Sequence, residues 1–205
     1  MNSTDITRSQ LARPGELAVV LIDVQPQFVE NMHGAAEPVL ARLEQLLIIC
    51  EWFQLPVLAT LEEPIDRKGH LHDRLQPLLP PTAVTATKQS YAISGEPRIV
   101  DALAQLDRPR MVVAGSETDV CVLQSVLGLI ELGYDVFLLE DCLFSSESHT
   151  APAVTRMRQA GAIPCTYKTL FYELLGTDDP LAWQTQQEQA TRRGFVAPES
   201  LPPTA

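Results

Sequence analysis

Six short aliphatic runs, most of them separated by segments of helical spacing, restrict what this chain can fold into. The first, Leu17 to Val24, reads LAVVLIDV. It does not alternate polar with apolar residues, which is the pattern of a strand buried on both faces of a parallel sheet. Val57 to Thr60, Ala83 to Thr87, Met111 to Ala114, Tyr134 to Leu139 and Ala162 to Thr166 repeat the theme. Helical periodicity lies between them at Glu37 to Phe53, Pro97 to Leu106, Val120 to Leu132 and Thr150 to Ala160, with a further helix at Leu170 to Leu175. Strand and helix in alternation predict a three-layer αβα fold, with a six-stranded, mostly parallel sheet and helices on both faces. At 205 residues this is one domain. Residues 1–14 read as an N-terminal arm, 15–178 as the domain and 179–205 as a C-terminal extension that could lie at an oligomer interface.

Charge and composition exclude several classes of partner. The formal net charge of -11 argues against nucleic acid and anionic membrane, both of which need a basic surface. No apolar run is long enough to span a bilayer. The polar N-terminus MNSTDITRSQLARPGEL lacks the apolar core of a secretory signal. Cys50, Cys121, Cys142 and Cys165 are widely spaced, with neither a Cys-x-x-Cys pair nor a zinc spacing, and read as reduced thiols of a cytoplasmic protein. No GxGxxG or GxxxxGK[ST] segment supports a dinucleotide or P-loop role.

Chemistry concentrates at strand ends. Cys121 follows a strand, a break at Gly115 and a polar stretch, Ser116 to Asp119, suited to capping a helix. Unpaired amides and the helix dipole favour a thiolate there, although a small buried apolar residue is the commoner role of a lone cysteine. Asp23 ends the first strand and Lys88 follows the third. Asp23 also reads as a turn cap beside Pro26, and Lys88 as a solvated charge. In an open parallel sheet with one reversal of strand order, such ends meet in one crevice. A thiol nucleophile, a carboxylate to move its proton and an ammonium to lower its pKa suffice for acyl transfer through a thioester, with no metal or organic cofactor. The loop from Glu62 to Pro81 carries His70 and His72, whose spacing alone is weak evidence for metal ligation and reads better as solvated loop histidines. Asp141, Ser145 and Ser146 could line the same rim, or serve only as turn residues.

The segments VVLIDVQPQFV around Asp23, TKQSYAIS around Lys88, VVAGSETDVCVLQSVLGLIELGYDVFLLEDC around Cys121 and GAIPCTYKTLFYELL near the end carry a resemblance. Over roughly residues 15–175 the chain resembles the isochorismatase-like cysteine hydrolases, which include nicotinamidases and N-carbamoylsarcosine amidohydrolase. The resemblance implies a catalytic triad of Asp23, Lys88 and Cys121. It implies a cis peptide between Ser116 and Glu117, an oxyanion hole from the backbone amides of Glu117 and Cys121, and a dimer or larger homo-oligomer. Gln25 and Phe28 would fall near the substrate pocket, with Glu62 and Tyr91 among its walls. The segment LEEPIDRKGHLHDRLQP does not reproduce the Asp and His spacing with which nicotinamidases bind metal, so no metal is expected. The resulting expectation is a hydrolase cleaving a C–N bond of a small amide, ureido or carbamoyl compound. The alternative is a catalytically idle scaffold or small-molecule binding protein of the same fold.

Overall fold

The computed structural model describes residues 10–179 and 181–194. Its centre is a sheet of six parallel strands, β1 Leu17–Ile22, β2 Val57–Glu62, β3 Val84–Lys88, β4 Arg110–Gly115, β5 Asp135–Leu143 and β6 Ile163–Cys165. They stand in the order β3-β2-β1-β4-β5-β6. The order reverses between β1 and β4, the place where parallel sheets of this kind open a crevice at their carboxyl edge. Every residue of β1, β2 and β4 is buried, which accounts for their unbroken apolar runs. β3, at the sheet edge, exposes three of its five residues and correspondingly reads as the least apolar strand.

Eight α-helices accompany the strands among the described residues, the last two following β6: α1 Pro26–Glu30, α2 Ala36–Phe53, α3 Ile65–Lys68, α4 Pro97–Gln105, α5 Leu123–Glu131, α6 Ala151–Gln159, α7 Tyr167–Leu175 and α8 Ala182–Arg192. Alternate residues of each central strand face opposite layers. Val19, Leu21, Ala59, Val112 and Phe137 pack against Leu43, Leu46 and Leu47 of α2 and Leu170 and Phe171 of α7. Val20, Leu58, Met111, Val113 and Val136 pack against Leu103 of α4, Val126 and Leu129 of α5 and Met157 of α6.

Several local expectations are corrected. β5 does not stop at Leu139 but runs to Leu143, because its pairing with β4 shifts register and Gly115 comes opposite Leu143. Glu140 and Asp141 lie beyond the last β6 partner, Cys165, where polar side chains are free to act. Asp141 accepts a hydrogen bond from the Tyr167 amide at 2.8 Å, at the start of α7. It serves that helix rather than the rim of the crevice. α1 escapes periodicity because five residues are too few to show one; its only sequence mark is Pro26 at the first position. Neither Ser148 nor His149 caps α6, whose flanking residue is Thr150. The C-terminal extension begins by folding back on its own chain: α8 buries Ala190, and Arg193 donates to the Glu51 carbonyl of α2 at 2.6 Å. Residues 1–9, which include most of the N-terminal arm, and the last eleven residues of the extension lie outside the described residues.

Candidate active site

Strand register brings the site together. Ile22 pairs with both Thr60 and Gly115, so Asp23 leaves β1 between the ends of β2 and β4. Glu62 and Lys88 are register partners at the ends of β2 and β3. Lys88 is therefore the last strand residue rather than the first one past it. Asp23 turns at φ 49°, a left-handed conformation that aspartate tolerates better than most residues. Gly115, at φ 117°, lets β4 run tight against β1: a Cβ there would sit 2.0 Å from the Ile22 carbonyl oxygen. The next residue, Ser116, ties the two strand ends, its amide donating to Ile22 O at 2.9 Å and its hydroxyl to Asp23 O at 2.9 Å. The Ser116–Glu117 peptide is cis.

Cys121 does not sit in a regular first helical turn. Thr118–Val122 form a wide π-type turn ahead of α5, in which the Val122 amide donates to Glu117 O five residues back. The polar stretch before it makes no side-chain cap. Thr118 Oγ1 donates to Phe144 O at 2.9 Å. Ser145 Oγ lies 2.6 Å from both Glu117 Oε2 and Asp119 Oδ1, and the Ser146 amide donates to Glu117 Oε2 at 2.8 Å. Ser145 and Ser146 thus brace the turn that carries Cys121. The Glu117 amide has no acceptor among the described residues.

Four side chains from four strand ends meet in the interior. Lys88 Nζ lies 2.6 Å from Asp23 Oδ2, 3.1 Å from Glu62 Oε2 and 3.7 Å from Cys121 Sγ. Thr60 Oγ1 donates to Asp23 Oδ1 at 2.8 Å, and Cys121 Sγ donates to Glu62 Oε2 at 3.1 Å. Asp23 and Lys88 are as buried as the apolar core, and Cys121 is 2% exposed. The structure thus brings Asp23, Lys88 and Cys121 together and adds Glu62, expected only as a pocket wall, as a full member of the cluster. The signal in the sequence was present: Glu62 closes the aliphatic run of β2 as Asp23 closes that of β1.

Burial sets the electrostatics. It pushes the Asp23 carboxyl above its ordinary value, although Lys88 and Thr60 pull the other way. Burial also opposes the Lys88 charge, but the anions around it, Asp23 foremost, hold its pKa above the usual lysine value. The Cys121 thiol is pushed well up, by burial first and by the Asp23 and Glu62 carboxylates besides, against the pull of Lys88. Burial thus works against the resting thiolate expected from the sequence, and the thiol is placed to donate to Glu62 at 3.1 Å. For Glu62 burial works against the charge, yet hydrogen bonds from Lys68 and Cys121 and the Lys88 charge bring its pKa below the ordinary glutamate value. Donor atoms of Asp23, Glu62 and Cys121 lie within 4.8 Å of one another, close enough to share a metal ion. The cation among them is the Lys88 ammonium, which contacts all three.

The other expected pocket residues divide. Gln25 is fully buried and engaged by backbone: its Nε2 donates to Glu62 O at 3.1 Å and Gly69 O at 2.7 Å, and its Oε1 accepts from the Glu62 amide at 2.7 Å. These bonds hold the Glu62 backbone in place. The Phe28 ring lies under the Lys68 ammonium, 5.8 Å from it, and Lys68 pairs with Glu62 Oε1. Tyr91 is 55% exposed, and none of the hydrogen bonds or ion pairs of the cluster reaches its ring. His70 is exposed, and His72 Nδ1 accepts from the Arg74 amide.

Fold and site define a three-layer α/β protein that holds a buried thiol, an ammonium and two carboxylates at the topological switch of a parallel sheet. Residues 17–169 match the isochorismatase domain, and the chain belongs to that hydrolase family. It is 27% identical over 164 residues to isochorismatase family protein 1A of Dictyostelium discoideum, covering 78% of this chain and 79% of that one. Among solved structures it resembles the YcaC gene product of Escherichia coli, described as an octameric hydrolase of unknown specificity. The TM-score is 0.81 at 23% identity, over 91% of this chain and 93% of that one. It also resembles the MAR1 ribonuclease of Caenorhabditis elegans, with a TM-score of 0.78 at 24% identity, over 95% and 98%.

Proposed function

We propose that the chain is a cysteine hydrolase that cleaves a C–N bond of a small amide, ureido or carbamoyl compound. The observation that carries this reading is the contact of Cys121 Sγ with both an ammonium and a carboxylate at the carboxyl edge of the sheet. Cys121 is the nucleophile, and Lys88 offsets the negative charge that grows on sulfur as it attacks. Asp23, paired with Lys88 at 2.6 Å, is the carboxylate that takes the thiol proton and gives it to the leaving nitrogen. The Glu117 amide, which has no acceptor among the described residues, receives the oxyanion of the tetrahedral intermediate together with that of Cys121. The reaction runs through a thioester that water then hydrolyses, and it uses the side chains at hand without a metal. A larger assembly is part of this reading, supported by the octamer described for the YcaC neighbour. Ribonuclease activity is not carried over from the neighbour of that name, because a net charge of -11 opposes a polyanionic substrate.

The test is ammonia release from a panel of amides, ureides and carbamoyl compounds, with Cys121→Ala as control. Release that vanishes in the variant supports the proposal; release at the wild-type rate in Cys121→Ala overturns the nucleophile. One observation favours a second reading, a binding or scaffold protein: the near-complete burial of Cys121. Saturable binding of a panel compound without turnover would support it.

A further inference from the structure

Glu117 is bound at every polar group but one. Its carbonyl oxygen accepts from the Val120 and Val122 amides at 3.1 and 3.0 Å. Its carboxylate oxygen Oε2 accepts from the Ser146 amide at 2.8 Å and the Ser146 hydroxyl at 2.9 Å, and the Ser145 hydroxyl lies 2.6 Å away. The N–H alone has no acceptor among the described residues. Glu117 precedes the wide turn with an extended backbone, at φ -72° and ψ 128°, so no regular helix fixes the direction of that N–H.

The support comes from outside the turn. Ser145 and Ser146 lie 28 and 29 positions further along the chain, past the end of β5. Their segment is locked to the residues around Glu117 on both sides. The Phe144 amide donates to Gly115 O at 3.2 Å, and Phe144 O accepts from the Thr118 amide at 3.0 Å and the Thr118 hydroxyl at 2.9 Å. Ser145 Oγ accepts from the Glu147 amide at 3.2 Å and also lies 2.6 Å from Asp119 Oδ1. A hydroxyl has one hydrogen to give, so Ser145 serves one of the two carboxylates at a time. Ser146 gives Glu117 two donors whichever Ser145 serves. Hydrogen bonds to an ionised carboxylate are the strong ones, so this brace holds Glu117 from the side chain while the turn holds it from the carbonyl.

We infer that Ser145 and Ser146 are positioning residues of the reaction. By gripping the Glu117 carboxylate they set the direction of the Glu117 N–H, the donor that meets the oxyanion. This rests on the cysteine hydrolase reading above. The physical reason is preorganisation: a donor fixed before negative charge grows on the carbonyl oxygen needs no rearrangement when it does. Neither serine touches the reacting atoms.

The test compares two reagents for Cys121. p-Nitrophenyl acetate passes its acetyl group to sulfur through a tetrahedral oxyanion and loses nitrophenolate. Methyl methanethiosulfonate places a methylthio group on the same sulfur by displacing a sulfinate, with no oxyanion on carbon. Both uptakes are read by intact mass, with Cys121→Ala as the control for other thiols. In the double variant Ser145→Ala and Ser146→Ala, which leaves every charge in place, acetylation is expected to slow about tenfold, the scale of a donor left in place but poorly aimed. Methylthiolation should stay within about threefold of wild type. Glu117→Ala removes all the brace bonds at once, and its acetylation should slow about 100-fold, as when an oxyanion donor is lost. Ser146→Ala alone, at an exposed position, is the mildest variant and should show the same split between reagents at smaller amplitude. Acetylation within about threefold of wild type in Glu117→Ala would overturn the inference, because the backbone would then hold the amide without the brace. Equal slowing by both reagents would also overturn it and make the serines supports of the nucleophile's turn. A wild-type protein that takes no acetyl group, or acetylation undiminished in Cys121→Ala, would instead remove the nucleophile and the parent reading with it.

Discussion

At the scale of the residue, the site depends on where a proton rests. A cysteine ahead of a helix invites reading as a thiolate, but burial of Cys121 outweighs the lysine beside it, and two carboxylates press in the same direction as burial. The ultraviolet thiolate absorbance of wild type minus Cys121→Ala is therefore expected to be absent at neutral pH. It should emerge only above the ordinary thiol range of about 8.5. Linkage has a definite sign here. The folded-state pKa is raised, so the thiol contributes its full stability below the unfolded-state pKa, and that contribution is lost as the pH climbs through the folded value. A thiolate signal already present at neutral pH would show that Lys88 prevails over burial.

At the scale of the element, the end of β2 and the turn that closes α3 are joined because Gln25, from the segment after β1, bonds to Glu62 and to Gly69. Its three hydrogen bonds tie β1, β2 and the Gly69 turn together. Gln25→Ala would leave the Glu62 amide buried without its side-chain acceptor, at a cost of about 3 kcal/mol. A chemical denaturation midpoint would measure this, and panel turnover should fall with it as the Glu62 carboxylate loses its aim. A midpoint unchanged from wild type would mean that water replaces the amide. The wide turn at Thr118–Val122 is the other element that matters, since it departs from a regular helix where the nucleophile sits. Its support comes from Ser145 and Ser146, beyond the end of β5. The sequence offered those serines as rim or turn residues. Their partners, Glu117 and Asp119, lie more than twenty-five positions upstream, and no local pattern joins them.

At the scale of the molecule, α8 lies on α2 of its own chain, which leaves Leu11 and Tyr172 as exposed apolar side chains beside a groove next to α7. A surface of this kind, together with the proposed assembly, leads to the expectation that light scattering gives a mass above that of one 22.6 kDa chain. A monomer at micromolar concentration would count against the assembly while leaving the site chemistry untouched. No helix among the described residues is long and apolar enough to cross a membrane.

The sequence by itself determined the layers and the strand ends. Unbroken aliphatic runs belong to strands buried on both faces, helical periodicity marks an amphipathic cover, and both are local consequences of backbone geometry. That is why Asp23, Lys88 and Cys121 were legible as candidates: each interrupts or follows an apolar run. Only the tertiary structure decided what these residues do to one another. Register set Glu62 opposite Lys88, and burial set Cys121 against the thiolate its place before a helix favours. Backbone hydrogen bonds engage Gln25 at Glu62 and Gly69, and Tyr91 is exposed. These are relations between strands brought together from far apart in the chain, in a medium whose dielectric response depends on everything packed around them.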